Sequence, residues 1–190
     1  MANDTFDLVL IQDPNNIPQR LLDYNPKIHD HPADYLNALK SYFRQGVTIG
    51  NMNEFCGRIF AEVSLRKRLI KNLVIGAHGG YEDGKYEGGH FYIGSTVITS
   101  GIGSRNEHAL LRRVAPFLSR DAHVYILACR TGNDRSVLSK VSECLGGIPV
   151  HGYTNYITTT SFGPYYTALD DGTGDGGKEV VCINGQCHFR

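Results

Sequence analysis

Apolar residues in this chain fall into two kinds of run. Some are short and continuous: "FDLVLIQD", "NLVIGAH", "AHVYILAC" and "IPVHGYTNYI" each read as a buried strand bounded by polar or turn residues. Others recur at helical spacing. "HPADYLNALKSYFRQG" places Tyr35, Leu36, Leu39, Tyr42 and Phe43 on one helix face, with Pro32 near its start and Gly46 at its end. "NEFCGRIFAEVSLRKRLIKN" predicts a second helix with Phe55, Ile59, Phe60, Val63 and Leu69 turned inward. "NEHALLRRVAPFLSRD" predicts a third, kinked at Pro116. "RSVLSKVSECLGG" predicts a fourth, closed by Gly146 and Gly147. "HFYIGSTVI" reads as a strand or hairpin, and "KEVVCINGQCHF" as a closing hairpin turned at Asn184-Gly185. Strands alternating with helices predict a single α/β domain over residues 1–190. It is a three-layer αβα sandwich with a mostly parallel sheet and a C-terminal β-hairpin.

Composition changes this picture little. The chain is 41% hydrophobic and 20% charged, as expected of a globular protein. Lys+Arg and Asp+Glu both number 19, a balance that disfavours a general nucleic-acid binder. The basic run "RKRLIK" reads as a solvated helix face. No stretch approaches the length of a membrane span. "MANDTFDLVLIQD" has neither a basic leader nor a long apolar core. The expectation is a cytoplasmic protein, or one exported without a visible signal peptide. Five cysteines are too few for a disulfide scaffold, and their odd number leaves at least one outside any bridge within the chain.

Chemistry enters at two strand ends. In open parallel sheets ligands bind beyond the carboxyl ends of the strands. "LVIGAHGG" stops at His78 and "VYILACRTG" stops at Cys129. A helix predicted to begin near Asp134 would lower the thiol pKa through its positive end. A cysteine and a histidine on one edge are the minimum for covalent acyl transfer. Gly79 and Gly80 leave room for a ligand's close approach, and the amides of Gly79 and Cys129 could donate to an oxyanion. Arg130 beside the thiol either favours the thiolate or is an ordinary surface arginine, and it is nominated with Asp83 for substrate binding. Taken singly, Cys129 reads more readily as a buried inert thiol and His78 as a polar strand end.

The two blocks resemble those of caspase-like cysteine peptidases, a group that includes caspases, legumains, gingipains, clostripains, separases, the self-cleaving domains of large bacterial toxins and CHAT domains. The likeness covers residues 73–157 in the order and spacing of elements. It implies a caspase-like sheet, Cys129 as nucleophile, His78 as general acid/base that protonates the leaving amine, and Gly79 as an oxyanion amide. The implied function is cysteine-dependent cleavage of a peptide or protein substrate, in processing or effector activity, with no cofactor or metal. A substrate-side charge is nominated from acidity alone: Asp83, Asp170 or Asp171 for a basic P1 residue. The group also contains members without activity, so a catalytically silent interaction domain is an alternative.

"CRTGNDRS" supports a rival assignment. A cysteine, five residues, an arginine and a serine form the phosphate loop of cysteine phosphatases. Cys129 would then attack phosphorus, Arg135 would clamp the phosphate and Ser136 would assist the leaving thiolate. Ala128 stands where tyrosine phosphatases usually carry histidine, and the absence of tryptophan removes their usual acid loop. Three lesser signals complete the inventory. Cys182 and Cys187 flank the Asn184-Gly185 turn at a position suited to a cross-strand disulfide; a metal site with His188 is a poor fit there. His90 is a second histidine near the expected site. "DDGTGDGG" and "GYTNYITTTSFGPYY" read as loop or cleft-wall segments.

Overall fold

The computed structural model describes residues 4–17, 32–82, 88–154 and 178–190. Its elements in chain order are β1 (Thr5–Gln12), α1 (Pro32–Tyr42), β2 (Val47–Ile49), α2 (Met52–Arg66), β3 (Leu69–Gly76), β4 (Gly79–Glu82), β5 (Gly88–Ile93), β6 (Thr96–Ile98), α3 (Arg105–Val114), β7 (Leu118–Leu127), α4 (Arg135–Cys144), β8 (Val150–Tyr153), β9 (Glu179–Ile183) and β10 (Gln186–Phe189). A seven-stranded sheet has the order β10-β9-β8-β7-β3-β1-β2. The strands from β8 to β2 run parallel, and β9 and β10 close the other edge antiparallel.

Helices cover both faces, which makes three layers. On one face, Leu36 and Leu39 of α1 bury Ile11, Val74 and Leu127. On the other, α2, α3 and α4 bury Leu10, Leu73, Ile75 and Ile126 under Phe55, Leu111 and Val137. Removing such side chains from water is the main stabilising contribution, at about 25 cal/mol per Å² of apolar area.

Three boundaries differ from the sequence reading. Helix α2 starts at Asn51, whose Oδ1 accepts the Glu54 N–H at 3.0 Å. It stops at Arg66, because Lys67 takes a left-handed conformation (φ 54°) and its N–H closes on the Val63 carbonyl. Leu69 therefore opens β3 opposite Thr5 rather than extending the helix. Pro116 does not kink a longer helix. α3 ends at Val114, the residues Ala115–Phe117 form a 3-10 turn, and Leu118 already pairs with Ile70 in the sheet. The short strand β2 is an addition that three residues could not announce.

The "HFYIGSTVI" segment is the hairpin β5–β6, but it lies outside the main sheet. With β4 it forms a separate antiparallel sheet of the order β4-β5-β6. Strand β4 begins only three positions after β3 ends, so the small sheet continues directly from His78. The C-terminal hairpin turns at Asn184 (φ 48°) and Gly185 (φ 82°), the left-handed pair that a two-residue turn requires. Cys182 stands opposite Cys187, and the two form a disulfide. Of the segments expected as loop or cleft wall, Asn155 onward through "DDGTGDGG" lies outside the described residues, as do Asp170 and Asp171. Among the described residues no helix is long and apolar enough to cross a membrane.

Candidate functional site

The central strands β1, β3 and β7 end side by side, and each end carries a polar or reactive residue: Gln12, His78 and Cys129. Gly76 pairs with Leu127 in register. Two residues beyond that pair, past the ends of both strands, the chain reaches His78 on one side and Cys129 on the other. Both residues are half-buried, and Cys129 takes no part in the disulfide. The two thus follow neighbouring strands, at the same edge of the sheet.

Hydrogen bonds define how the backbone leaves the sheet. The Ala77 N–H donates to the Leu127 carbonyl at 3.0 Å, toward β7. One residue on, the His78 N–H points the other way and donates to Oε1 of Gln12 at 3.0 Å. The His78 carbonyl accepts from the Tyr92 N–H at 2.9 Å. That bond makes 78 and 92 a hydrogen-bonded pair, so Gly79, opposite Phe91, is at a non-hydrogen-bonded position. The Gly79 amide accordingly points away from β5.

The Cys129 turn is packed onto the Gly79 Cα. A Cβ placed on Gly79 would lie 2.8 Å from the Cys129 carbonyl oxygen, 2.9 Å from the Ala128 Cβ and 2.9 Å from Thr131 Cγ2. Only glycine lets the His-Gly corner approach the cysteine turn this closely. Thr131 is fully buried, and its hydroxyl donates to the Ala128 carbonyl at 3.1 Å. Its other side fills the space over Gly152, where a Cβ would meet Thr131 Oγ1 at 2.9 Å. Arg130 adopts a left-handed conformation (φ 57°), which is uncommon for a residue with a side chain. Its carbonyl accepts from the Asn133 N–H at 3.1 Å.

The helix expected to activate Cys129 begins where the sequence placed it, but its positive end is already taken. α4 begins at Arg135, and Asp134 caps it: Oδ1 accepts the Ser136 N–H at 2.8 Å while Oδ2 accepts the Gly89 N–H at 2.8 Å. A carboxylate thus already occupies the positive end of the helix. Two of the amides a phosphate loop would use are engaged. The Gly132 N–H donates to the Tyr153 carbonyl and the Asn133 N–H to that of Arg130. The Arg135 guanidinium lies 4.2 Å from the centre of the Phe189 ring, and the Ser136 hydroxyl donates to Ser100 Oγ at 2.9 Å. Both side chains are turned to α4's surroundings on the hairpin and β6 sides.

Other predicted residues are distributed as follows. His90 is buried on β5 opposite Gly80, and its Cε1 would touch a Cβ there at 3.1 Å. It lies two cross-strand pairs from the 78/92 pair and contacts Tyr92 edge-on at 5.7 Å. Asp83 lies outside the described residues. Cys56 and Cys144 have thiol pKa values pushed up by burial, which keeps them protonated and inert. Both disulfide sulfurs sit against the Arg135 carbonyl, at 3.8 and 3.6 Å. No group of three or more metal-ligating side chains gathers among the described residues.

Two residues at the site escaped the sequence reading. Tyr35 was expected on the core face of α1. Its hydroxyl donates to the Leu127 carbonyl at 2.9 Å, and its ring meets the His78 ring edge-on at 5.9 Å. Nothing in the sequence separates such a tyrosine from a core one. Gln12 did carry a signal: "FDLVLIQ" is an apolar run stopped by a polar residue, the same signature that singled out His78 and Cys129.

A second polar row crosses the middle of the sheet. His123 Nδ1 and His151 Nε2 are 2.8 Å apart, and His151 Nδ1 is 2.6 Å from Glu179 Oε1. Tyr125 stacks on the His151 ring at 4.3 Å. The hydrogen bond from His151 holds the Glu179 carboxyl below its ordinary pKa, and burial lowers that of His123. No family model, no curated protein and no solved structure matches the chain.

Proposed function

We propose that the protein is a cysteine-dependent peptidase acting through His78 and Cys129. The observation that carries this reading is the seating of Gly79, the residue after His78, on the turn of residues 128–131 that carries Cys129. In the proposed reaction the Cys129 thiol gives its proton to His78 and its sulfur attacks the scissile carbonyl. The oxyanion that forms accepts from the Gly79 N–H and from the Cys129 N–H. His78 gives a proton to the leaving amine, and an acyl-enzyme remains. Water, deprotonated by His78, then attacks the thioester and releases the acid and the thiol.

The phosphatase alternative draws less support. Its loop amides at 132, 133 and 136 already have acceptors, one of them the Asp134 carboxylate, and Arg135 is stacked on Phe189. A negative carboxylate at the helix start is the wrong charge for a phosphate site. The test is a peptide-library digest followed by three variants. Cys129→Ser and His78→Ala should abolish cleavage, and Arg135→Ala should spare it. Hydrolysis of a phosphate monoester that is lost with Arg135→Ala would overturn the peptidase assignment. Absence of both activities, with no selective alkylation of Cys129, would favour a binding role.

A further inference from the structure

We propose that Gln12 is a positioning residue that sets the His78–Gly79 corner, and with it both the acid/base and the oxyanion amide. The inference rests on the peptidase reading and adds a residue to it. Strand β1 ends at Gln12, and the chain turns off at once: the Asp13 N–H donates to the Ile49 carbonyl, toward β2. The last β1–β3 pair is Ile11 with Gly76, so the His78 N–H lies past the paired part of the two strands. It donates to the Gln12 side chain, whose Oε1 accepts it at 3.0 Å.

The consequence passes one peptide along. Fixing the His78 amide also fixes the peptide that follows it, and so how Gly79 is seated on the Cys129 turn. A rotation of the 77–78 peptide would displace the imidazole and the oxyanion donor together. Gln12 is fully buried, and its Nε2 has no acceptor among the described residues. A buried carboxamide with one half idle is less stable than a well-packed apolar side chain of the same shape. Its presence is accounted for by what Oε1 holds, as expected where a site trades stability for geometry.

The test pairs turnover with amide hydrogen exchange at His78, using the full chain. Gln12→Met keeps length and removes the acceptor. It should lower kcat about 10- to 100-fold with KM changed less than about two-fold, as for a small misplacement of reacting groups. It should also speed exchange of the His78 amide while that of Ile75 stays protected. Gln12→Glu keeps an Oε acceptor and should recover the protection and most of kcat. Should Gln12→Met not fold, Gln12→Asn, which draws the carboxamide back by one methylene, is read by the same two measurements. Unchanged exchange at His78, unchanged kcat, or no rescue by glutamate overturns the assignment. Failure of the peptidase reading looks different: the wild-type chain cleaves no peptide, while exchange at His78 still responds to Gln12 and decides the positioning claim.

Discussion

Gln12, His78 and Cys129 form one polar row at the carboxyl ends of β1, β3 and β7; His123, His151 and Glu179 form another across the middle of β7, β8 and β9. Both rows contain histidine and both are partly buried, yet they are held differently. In the central row the side chains hold one another. His151 has a partner at each ring nitrogen, Glu179 on one side and His123 on the other, and a tyrosine stacked on its face. That fixes its tautomer and leaves no ring nitrogen for a ligand. In the edge row the described bonds hold the main chain: the amide and carbonyl of His78 are bound by Gln12 and Tyr92, and Gly79 is clamped by contact. A histidine is thus assigned by what its neighbours hold, and residue type alone does not decide it.

The contrast breaks most sharply at the nucleophile. Cys129→Ser should lower kcat/KM on a cleaved peptide by on the order of 10⁴-fold or more, with no change in melting temperature. His151→Leu should do the reverse: turnover per folded molecule intact, and stability lower by about 2–4 kcal/mol in denaturant titration, since Glu179 loses its partner in a half-buried place. Retained activity in the first variant or lost activity in the second would dissolve the distinction between the rows.

Gly79→Ala tests whether the edge depends on contact. The new methyl would meet backbone and Cβ atoms at 2.8 and 2.9 Å, so the two corners must separate. We expect a stability loss of about 1–3 kcal/mol together with a drop in kcat. A variant as active as the wild type would remove the oxyanion role from Gly79.

Acid should act through the central row. Burial lowers the pKa of His123 from 6.5, so the unfolded chain binds more protons as pH falls below 6.5; stability is full above that pH and declines beneath it. The Glu179 carboxyl is depressed from 4.5, so its contribution is present above 4.5 and is lost as pH falls further, through its folded value. Melting curves should therefore show two successive acid losses, and His123→Asn should erase the upper one. The smallest effect belongs to Arg135→Ala. It removes an exposed stacking contact with Phe189 worth about 0.5–1 kcal/mol, and leaves peptide turnover unchanged.

Much of the fold was legible because strands and helices announce themselves by local periodicity. The apolar runs ending at His78 and Cys129, the glycine-closed α4 and the Asn184-Gly185 hairpin are all patterns within a few residues. The errors have one physical source, which is competition between local signals and pairing at a distance. Leu69 fits a helical face but pairs with Thr5, and Leu118 follows a helix but pairs with Ile70.

The same division runs through the site. Sequence by itself determined that an imidazole and a thiol end two buried strands, each followed closely by glycine, because such runs are read directly from the order of residues. Only the tertiary structure decided that those strands are neighbours in register and that Gly79 seats on the cysteine turn. It also decided that Asp134 occupies the helix end meant for Cys129, and that Gln12 holds the His78 amide across 66 positions of chain. Contacts between residues so far apart depend on strand order and side-chain packing, which no local spacing encodes.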